Sequence, residues 1–247
     1  MINLSAPIRP GNSVGMQKQN LGIAANPTTL LTNIIAYYQL DNNAGALSLV
    51  DATGNGYTLT NVNSVAVSTA TVKLGTGCAN FASGPKRLVA TLPASLTAFS
   101  ISLWAKGSTQ TASYPELTTN NATNGIEFNF SHSSATTKFR AVVNNVAVAS
   151  TTTVTDNNWH HGVMTWDGAT LKLYTDAGTP VTAAVTSAAQ NFNGISLGDS
   201  TDSNTALQYV GLLDEVGYWS RALTASEVTS LYNAGAGLPF SSFASTP

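Results

Sequence analysis

Charge is scarce in this chain. Of its 247 residues only 9% are Asp, Glu, Lys or Arg, ten basic against twelve acidic. A partner made of phosphates demands clustered Lys and Arg to neutralise it. Ten cations scattered along the sequence form no such cluster, so nucleic acid and an anionic membrane surface are excluded as partners. Cysteine is nearly absent: Cys78 stands alone, no intrachain disulfide can form, and its expected place is a small buried hydrophobe. No apolar run approaches the roughly 18 residues that span a bilayer. The most apolar N-terminal stretch, Leu30 to Tyr38, is broken by Thr32 and Asn33. The opening Met-Ile-Asn-Leu-Ser-Ala-Pro-Ile-Arg-Pro lacks the basic start and apolar core of a secretory signal. Either such a signal has been removed, or the protein reaches its place without one. Catalytic signatures are missing too. There is no Gly-x-Ser-x-Gly elbow and no phosphate-cradling Gly-x-x-x-x-Gly-Lys-Ser/Thr loop. His160 and His161 are neighbours on a predicted strand and so face opposite ways, which denies them a shared metal. The inward one is expected to be a hydrogen-bonded core histidine.

What is present is a polar, neutral surface of Ser, Thr, Asn and Ala between short apolar alternations. Residues 1–33 carry Pro7, Pro10, Pro27, Gly11, Gly15 and Gly22, with Arg9 and Lys18 as the only charges. They sustain no helical or strand period and form an extended arm, either a solvated leader or a segment that docks on a partner. Ile2, Leu4, Ile8, Val14, Met16, Leu21 and Ile23 lean toward docking. From Ile34 short strands recur: Ile34 to Leu40, Phe99 to Trp104, Ile126 to Phe130, Phe139 to Val143, Trp159 to Trp166, Leu171 to Tyr174 and Ile195 to Leu197. Asn144-Asn145 and Asp167-Gly168 sit between such runs as hairpin tips, and Asp51-Ala-Thr-Gly-Asn-Gly56 is a turn tolerant of positive φ. Near the end, Val210, Leu212, Asp214 and Val216 alternate along one strand face. Thr224 stands three residues before Glu227, as in a capping box, with Leu223 and Val228 at staple positions. Val228, Leu231 and Tyr232 then mark a short helix that Gly235 stops. Residues 241–247 read as a polar tail.

Four of these segments, in this order, resemble laminin-G-like, concanavalin A-like domains. They are Tyr38-Gln-Leu-Asp41 with the Asp51–Gly56 turn, Phe99 to Ala105, Trp159 to Tyr174, and Leu213 to Tyr232. The resemblance runs from Tyr38 to Phe240. It implies an all-β fold, an antiparallel jelly-roll sandwich over residues 34–240, with one short C-terminal helix. One departure stands out: where the family often has an acidic or polar pair after Phe-Asp-Gly, this chain has Phe81-Ala-Ser-Gly-Pro-Lys-Arg87.

The resemblance also implies a calcium ion, which takes six to eight oxygen ligands. The candidates are Asp41, Asp51, Asn55 and Asp214, the last expected to point inward, where its alternative is hydrogen bonding or a pair with Arg221. A weaker candidate is the Asp199 to Asn204 loop. Trp104, Trp159, Trp166 and Trp219 are assigned to packing. Glycan contacts are expected from loop residues Tyr57, Tyr114, Asn120, Asn121, Asn124, Asp202 and Asn204. The Glu-x-Asp-x-x-Glu cluster of related glucanases is absent, since Glu127 is followed by Asn129, so no catalysis is expected. The composition, the lone thiol and the apolar arm together suggest a virion surface subunit, such as a capsid-decoration, head-fibre or tail-associated protein. Residues 1–33 would anchor it to other virion subunits, and it would form a homo-oligomer such as a trimer. The alternative is a secreted bacterial carbohydrate-binding or adhesion module; a glycoside hydrolase stands third.

Overall fold

The computed structural model describes residues 29–246, apart from 83, 94, 113–114, 121–124, 188, 193 and 200–206. Most of the predicted arm therefore lies outside the described residues. In chain order the strands are β1 (Ile34–Tyr38), β2 (Asn42–Asn43), β3 (Ala46–Leu47), β4 (Thr60–Val62), β5 (Ala66–Ser68) and β6 (Cys78–Phe81). They continue with β7 (Arg87–Ala90), β8 (Phe99–Ser108), β9 (Glu116–Thr119), β10 (Ile126–His132), β11 (Ala135–Val143) and β12 (Val146–Ala149). The last are β13 (Asp156–Trp166), β14 (Thr170–Thr175), β15 (Val181–Ala184), β16 (Ile195–Leu197) and β17 (Gly211–Trp219), before the helix α1 (Ala225–Tyr232).

Two antiparallel sheets stack into a jelly-roll sandwich. One has the order β15-β14-β13-β8-β17-β6-β5, with β1 also on β17; the other has the order β12-β11-β10-β9-β16-β7-β4. Period-two alternation decides what lies between them. Phe99, Ile101, Leu103 and Ala105 of β8 enter the main core, as do Phe128 and Phe130 of β10 and Phe139 and Ala141 of β11. The aromatic rings there meet edge to face, Phe128 on Phe139 at 5.5 Å and Phe130 on Phe139 at 5.8 Å. Gly162 is needed opposite them, because a Cβ at that point would come within 2.6 Å of Phe128.

The turns form where their chemistry asks for them. Asn144 and Asn145 both adopt left-handed backbone, φ 48° and 62°, as a type I′ hairpin requires. Asp167 Oδ1 accepts from the backbone of Ala169 and Thr170 and closes the β13–β14 hairpin. Helix α1 has the complete capping box: Thr224 Oγ1 accepts from Glu227 N, and Glu227 accepts from Thr224 N.

A second core covers the outer face of the eight-stranded sheet. Tyr37, Val163 and Trp219 meet Leu223, Val228 and Leu231 from the helix side. Two differences from the sequence reading arise here. The arm ends earlier than residue 33: Leu30 is fully buried, its carbonyl accepts from Trp219 Nε1 at 2.7 Å, and its N–H donates to Thr246 at 3.1 Å. The polar tail is also not a tail, because Phe243 is fully buried against Tyr37 and Trp219. Apolar residues at 240 and 243 in a run of Ser were too few to show a period.

Candidate functional site

With that outer face covered, the opposite one, on the seven-stranded sheet, carries the polar side chains. Leu88 of β7 and Leu197 of β16 point into the core, so Arg87 and Val89 point outward. β4 pairs Thr60 with Val89 and Val62 with Arg87, which puts Thr60 and Val62 beside them. The result is a groove of about 470 Å³ over β4, β7 and β16, lined by Thr58, Thr60, Val62, Arg87, Val89 and Thr91 among others. That volume lies in the range of small-ligand sites. Its wall alternates hydroxyls, which donate and accept, with apolar Val faces, and carries one planar guanidinium fork. Among the described residues no carboxylate lines it.

Further along the same face, Arg140 Nη1 donates to Glu127 Oε2 at 3.0 Å and to Asn129 Oδ1 at 2.8 Å. Arg140 and Asn129 are cross-strand partners, so the strip is set by the β10–β11 register. Asn129 is completely buried and its Nδ2 has no partner.

The four residues expected to bind calcium do not form one shell. Asp51 is consumed by its own turn: Oδ1 accepts from Tyr37 N, Thr53 N and Thr53 Oγ1 at 2.7–3.1 Å, and Oδ2 from Tyr57 N at 3.2 Å. Asn55 donates to the carbonyls of Ile34 and Ile35. Asp41 accepts from Thr76 N and Oγ1. Asp214 accepts from Lys73 N at 3.0 Å and Leu74 N at 3.2 Å. The acids thus clasp two loops, 51–57 and 73–76. Among the described residues no three His, Cys, Asp or Glu converge to hold a metal ion. A cation needing six to eight oxygens does not fit this donor set.

Asp214 also corrects its predicted direction. The β17–β8 register slips between Asp214 and Gly217, and Glu215 takes a left-handed φ of 52°. The slip breaks the alternation: Leu213 and Val216 both enter the main core, while Asp214 lies opposite Trp104 on the outer side. Arg221 pairs with Glu227 instead.

A family profile described as the concanavalin A-like lectin/glucanases superfamily matches residues 82–229. The chain belongs to that superfamily. No curated protein matches it. Among solved structures, the binding domain of Paraclostridial Mosquitocidal Protein 1 is similar at TM-score 0.65 and 14% identity, over 83% of this chain and 53% of that one. The chain therefore spans about half the length of that structure. The botulinum neurotoxin DC binding domain in complex with SialylT is similar at TM-score 0.61 and 13% identity, over 83% of this chain and 51% of that one. Domain 4 of AbnA, a GH43 extracellular arabinanase from Geobacillus stearothermophilus, in complex with arabinotriose, is similar at TM-score 0.56 and 21% identity. It matches over 80% of this chain and 97% of that one.

Of the predicted glycan residues only Tyr57 and Asn120 are described. Tyr57 packs on the main core, and its carbonyl accepts from Tyr38 Oη at 2.6 Å. Asn120 locks a turn, accepting from Ile126 N and donating to Asn191 O. Tyr114, Asn121, Asn124, Asp202 and Asn204 lie outside the described residues. Of the Asp199 to Asn204 loop only Asp199 is described, and it is fully buried.

Trp166 and Trp219 are fully buried, and Trp104 nearly so, under Lys73 Nζ at 3.7 Å and beside His161 and Tyr232. Trp159 is half-buried. The two histidines do face opposite ways. His161 is buried, bonded to Ser102 Oγ at 2.9 Å, and burial pushes its pKa down to about 3. His160 sits between Asp176 at 2.7 Å and Asp156 at 3.0 Å. Burial lowers its pKa, but the two carboxylates outweigh burial and raise it on balance. The groove residues Thr60, Arg87, Val89 and Thr91 were missed. Arg87 drew notice only as a departure from the family pattern, which was the available signal.

Proposed function

We propose that this chain is a non-catalytic binding module that holds a glycan in the groove over β4, β7 and β16. The observation that carries the reading is the groove's wall: hydroxyls and a guanidinium interleaved with Val side chains. A sugar presents the matching alternation of hydroxyls and C–H faces. Among the described residues that wall holds no carboxylate, which supports binding without hydrolysis, a reaction that uses two carboxyl groups flanking the bond. The fold is also one on which arabinotriose is held, in domain 4 of AbnA. We place the module on a virion surface, anchored through its N-terminal arm to other virion subunits and assembled as a homo-oligomer such as a trimer. Several weak grooves on one particle would then act with avidity. A neutral surface and a single buried thiol are compatible with that exposed setting. A second reading, a binding module within a longer secreted bacterial protein, is favoured by the near-complete coverage of that arabinanase domain.

The test is saturation-transfer NMR of the full chain against a panel of neutral and acidic oligosaccharides, followed by titration. One class should bind at millimolar or tighter. Arg87→Ala and Val89→Asp should each weaken it at least tenfold without lowering the melting temperature by more than a few degrees. Binding unchanged in both variants would move the site elsewhere, and silence across the panel would remove the glycan.

A further inference from the structure

His160 lies between two carboxylates. Its Nδ1 is 2.7 Å from Asp176 Oδ2, and its Nε2 is 3.0 Å from Asp156 Oδ1. A neutral imidazole carries one N–H and one bare nitrogen; only the imidazolium donates from both. In the neutral ring a nitrogen lone pair would face a carboxylate oxygen at hydrogen-bond distance, and the two would repel. The arrangement therefore calls for a charged ring. Burial works against that charge, since the side chain is 11% exposed, but the two carboxylates outweigh it and hold the pKa above its ordinary value.

The two acids are held differently. Asp176 sits in the turn after β14 and is fixed without His160. Its Oδ1 accepts from His161 N at 2.8 Å, its own N–H donates to His161 O at 2.9 Å, and Gly178 N closes the turn on Thr175 O. Asp156 opens β13, and among the described residues its other side-chain bonds run to Asn158, from N and Nδ2, both at 3.0 Å. The β13–β8 register shifts between Asp156 and Trp159, and Asn157 takes a left-handed φ of 61°. Residues 156–158 thus form an exposed bulge. Two side chains tie it to its surroundings: His160, through Asp156, and Lys106 of β8, whose Nζ donates to Asn157 O.

Other ionisable groups on the packed elements are Lys73 and Tyr232, which both feel the charge of Asp176, and His161, which burial pushes down to about 3 and so keeps neutral. An imidazole between two acids is the group of this set that titrates near neutral pH.

We propose that His160 is a pH-operated clasp that joins the 156–158 bulge to the 175–178 turn when protonated and lets the bulge go when it loses its proton. The neutral ring keeps its one N–H for Asp176, the nearer and less exposed acid, and releases Asp156. The folded state binds the His160 proton more tightly than the unfolded chain does. The clasp therefore contributes in full below the unfolded pKa of about 6.5 and is lost as pH rises through the higher folded value. The inference stands whether or not the groove over β4, β7 and β16 binds a glycan.

The test is NMR of the full chain against pH, with the His160 ring signal assigned by its loss in His160→Gln. Its midpoint should lie above about 6.5, and Asp156→Asn should lower it. Hydrogen exchange at the Asn158 amide, which donates to Asp156, should accelerate at least about tenfold through that midpoint after correction for the intrinsic pH dependence. The His161 amide, bonded to the fixed acid, should stay protected. In His160→Gln the step at Asn158 should vanish. A midpoint at or below about 6.5, or one that Asp156→Asn leaves unmoved, would overturn the proposal. So would a step at Asn158 that persists in His160→Gln, or a His161 amide that opens together with Asn158.

Discussion

Replacing Glu215 with Gln isolates the cost of burying an acid beneath the second core. Glu215 is 3% exposed, sits at the β17 bulge, and has a carboxylate oxygen, Oε2, without a partner. Burial raises its pKa from 4.5 to about 7, opposed in part by its hydrogen bond with Tyr37. Asp214 beside it is raised as well, by burial first and then by the charge on Glu215. The sign follows from proton binding. Between pH 4.5 and 7 the folded state holds the Glu215 proton that the unfolded state releases. Stability from this group is therefore complete below about 4.5 and is lost as pH rises through about 7. Moving a carboxyl over that interval is worth roughly 3 kcal/mol. Glu215→Gln cannot ionise, so its stability relative to the parent should rise by roughly 3 kcal/mol between pH 4.5 and pH 8, whatever its offset at low pH. Part of that rise comes from Asp214, which loses a repelling neighbour in the variant. The measurement is urea unfolding at pH 4.5, 6 and 8, followed by tryptophan fluorescence, with m-values checked for constancy. Parallel pH profiles for parent and variant would refute the assignment of a buried, proton-holding Glu215.

Phe243→Ala should destabilise the fold by about 3–5 kcal/mol, as for a fully buried Phe, and a differential-scanning melt should drop by well over five degrees; a polar tail would give no change. A chelator should leave the melting midpoint where it is. Calcium that raised the midpoint in a concentration-dependent way would show that the clasps at Asp51 and Asp214 open to take it.

The parts of the fold legible in the sequence are those governed by short-range rules. Alternation announced β8, β10, β11 and β13, the paired Asn at 144–145 announced a type I′ turn, and Thr224 with Glu227 announced the helix start. What stayed hidden depends on longer-range events. A single extra residue at Glu215 shifts the phase of β17, so alternation counted through it sent Asp214 to the wrong side. The isolated Phe243 shows no period and yet fills a cavity made by residues two hundred positions earlier in the chain.

The site was harder to read for a related reason. Alternation tells which side chains of a strand share a face, but not which of the two outer faces another part of the chain will cover. Both outer faces of the sandwich carry outward-pointing polar or amphipathic residues: Ser100, Ser102, Trp104 and Lys106 on β8, and Arg87 and Val89 on β7. Helix α1, the 240–245 turn and Lys73 close over the first set; Ser100 and Ser102 are buried beneath them. The second set stays beside an open groove. Binding was sought in loops because loops vary. Here the capping elements at the C-terminus decide which outer face is covered, and they leave that of strands β4, β7 and β16, where we propose the ligand binds, open.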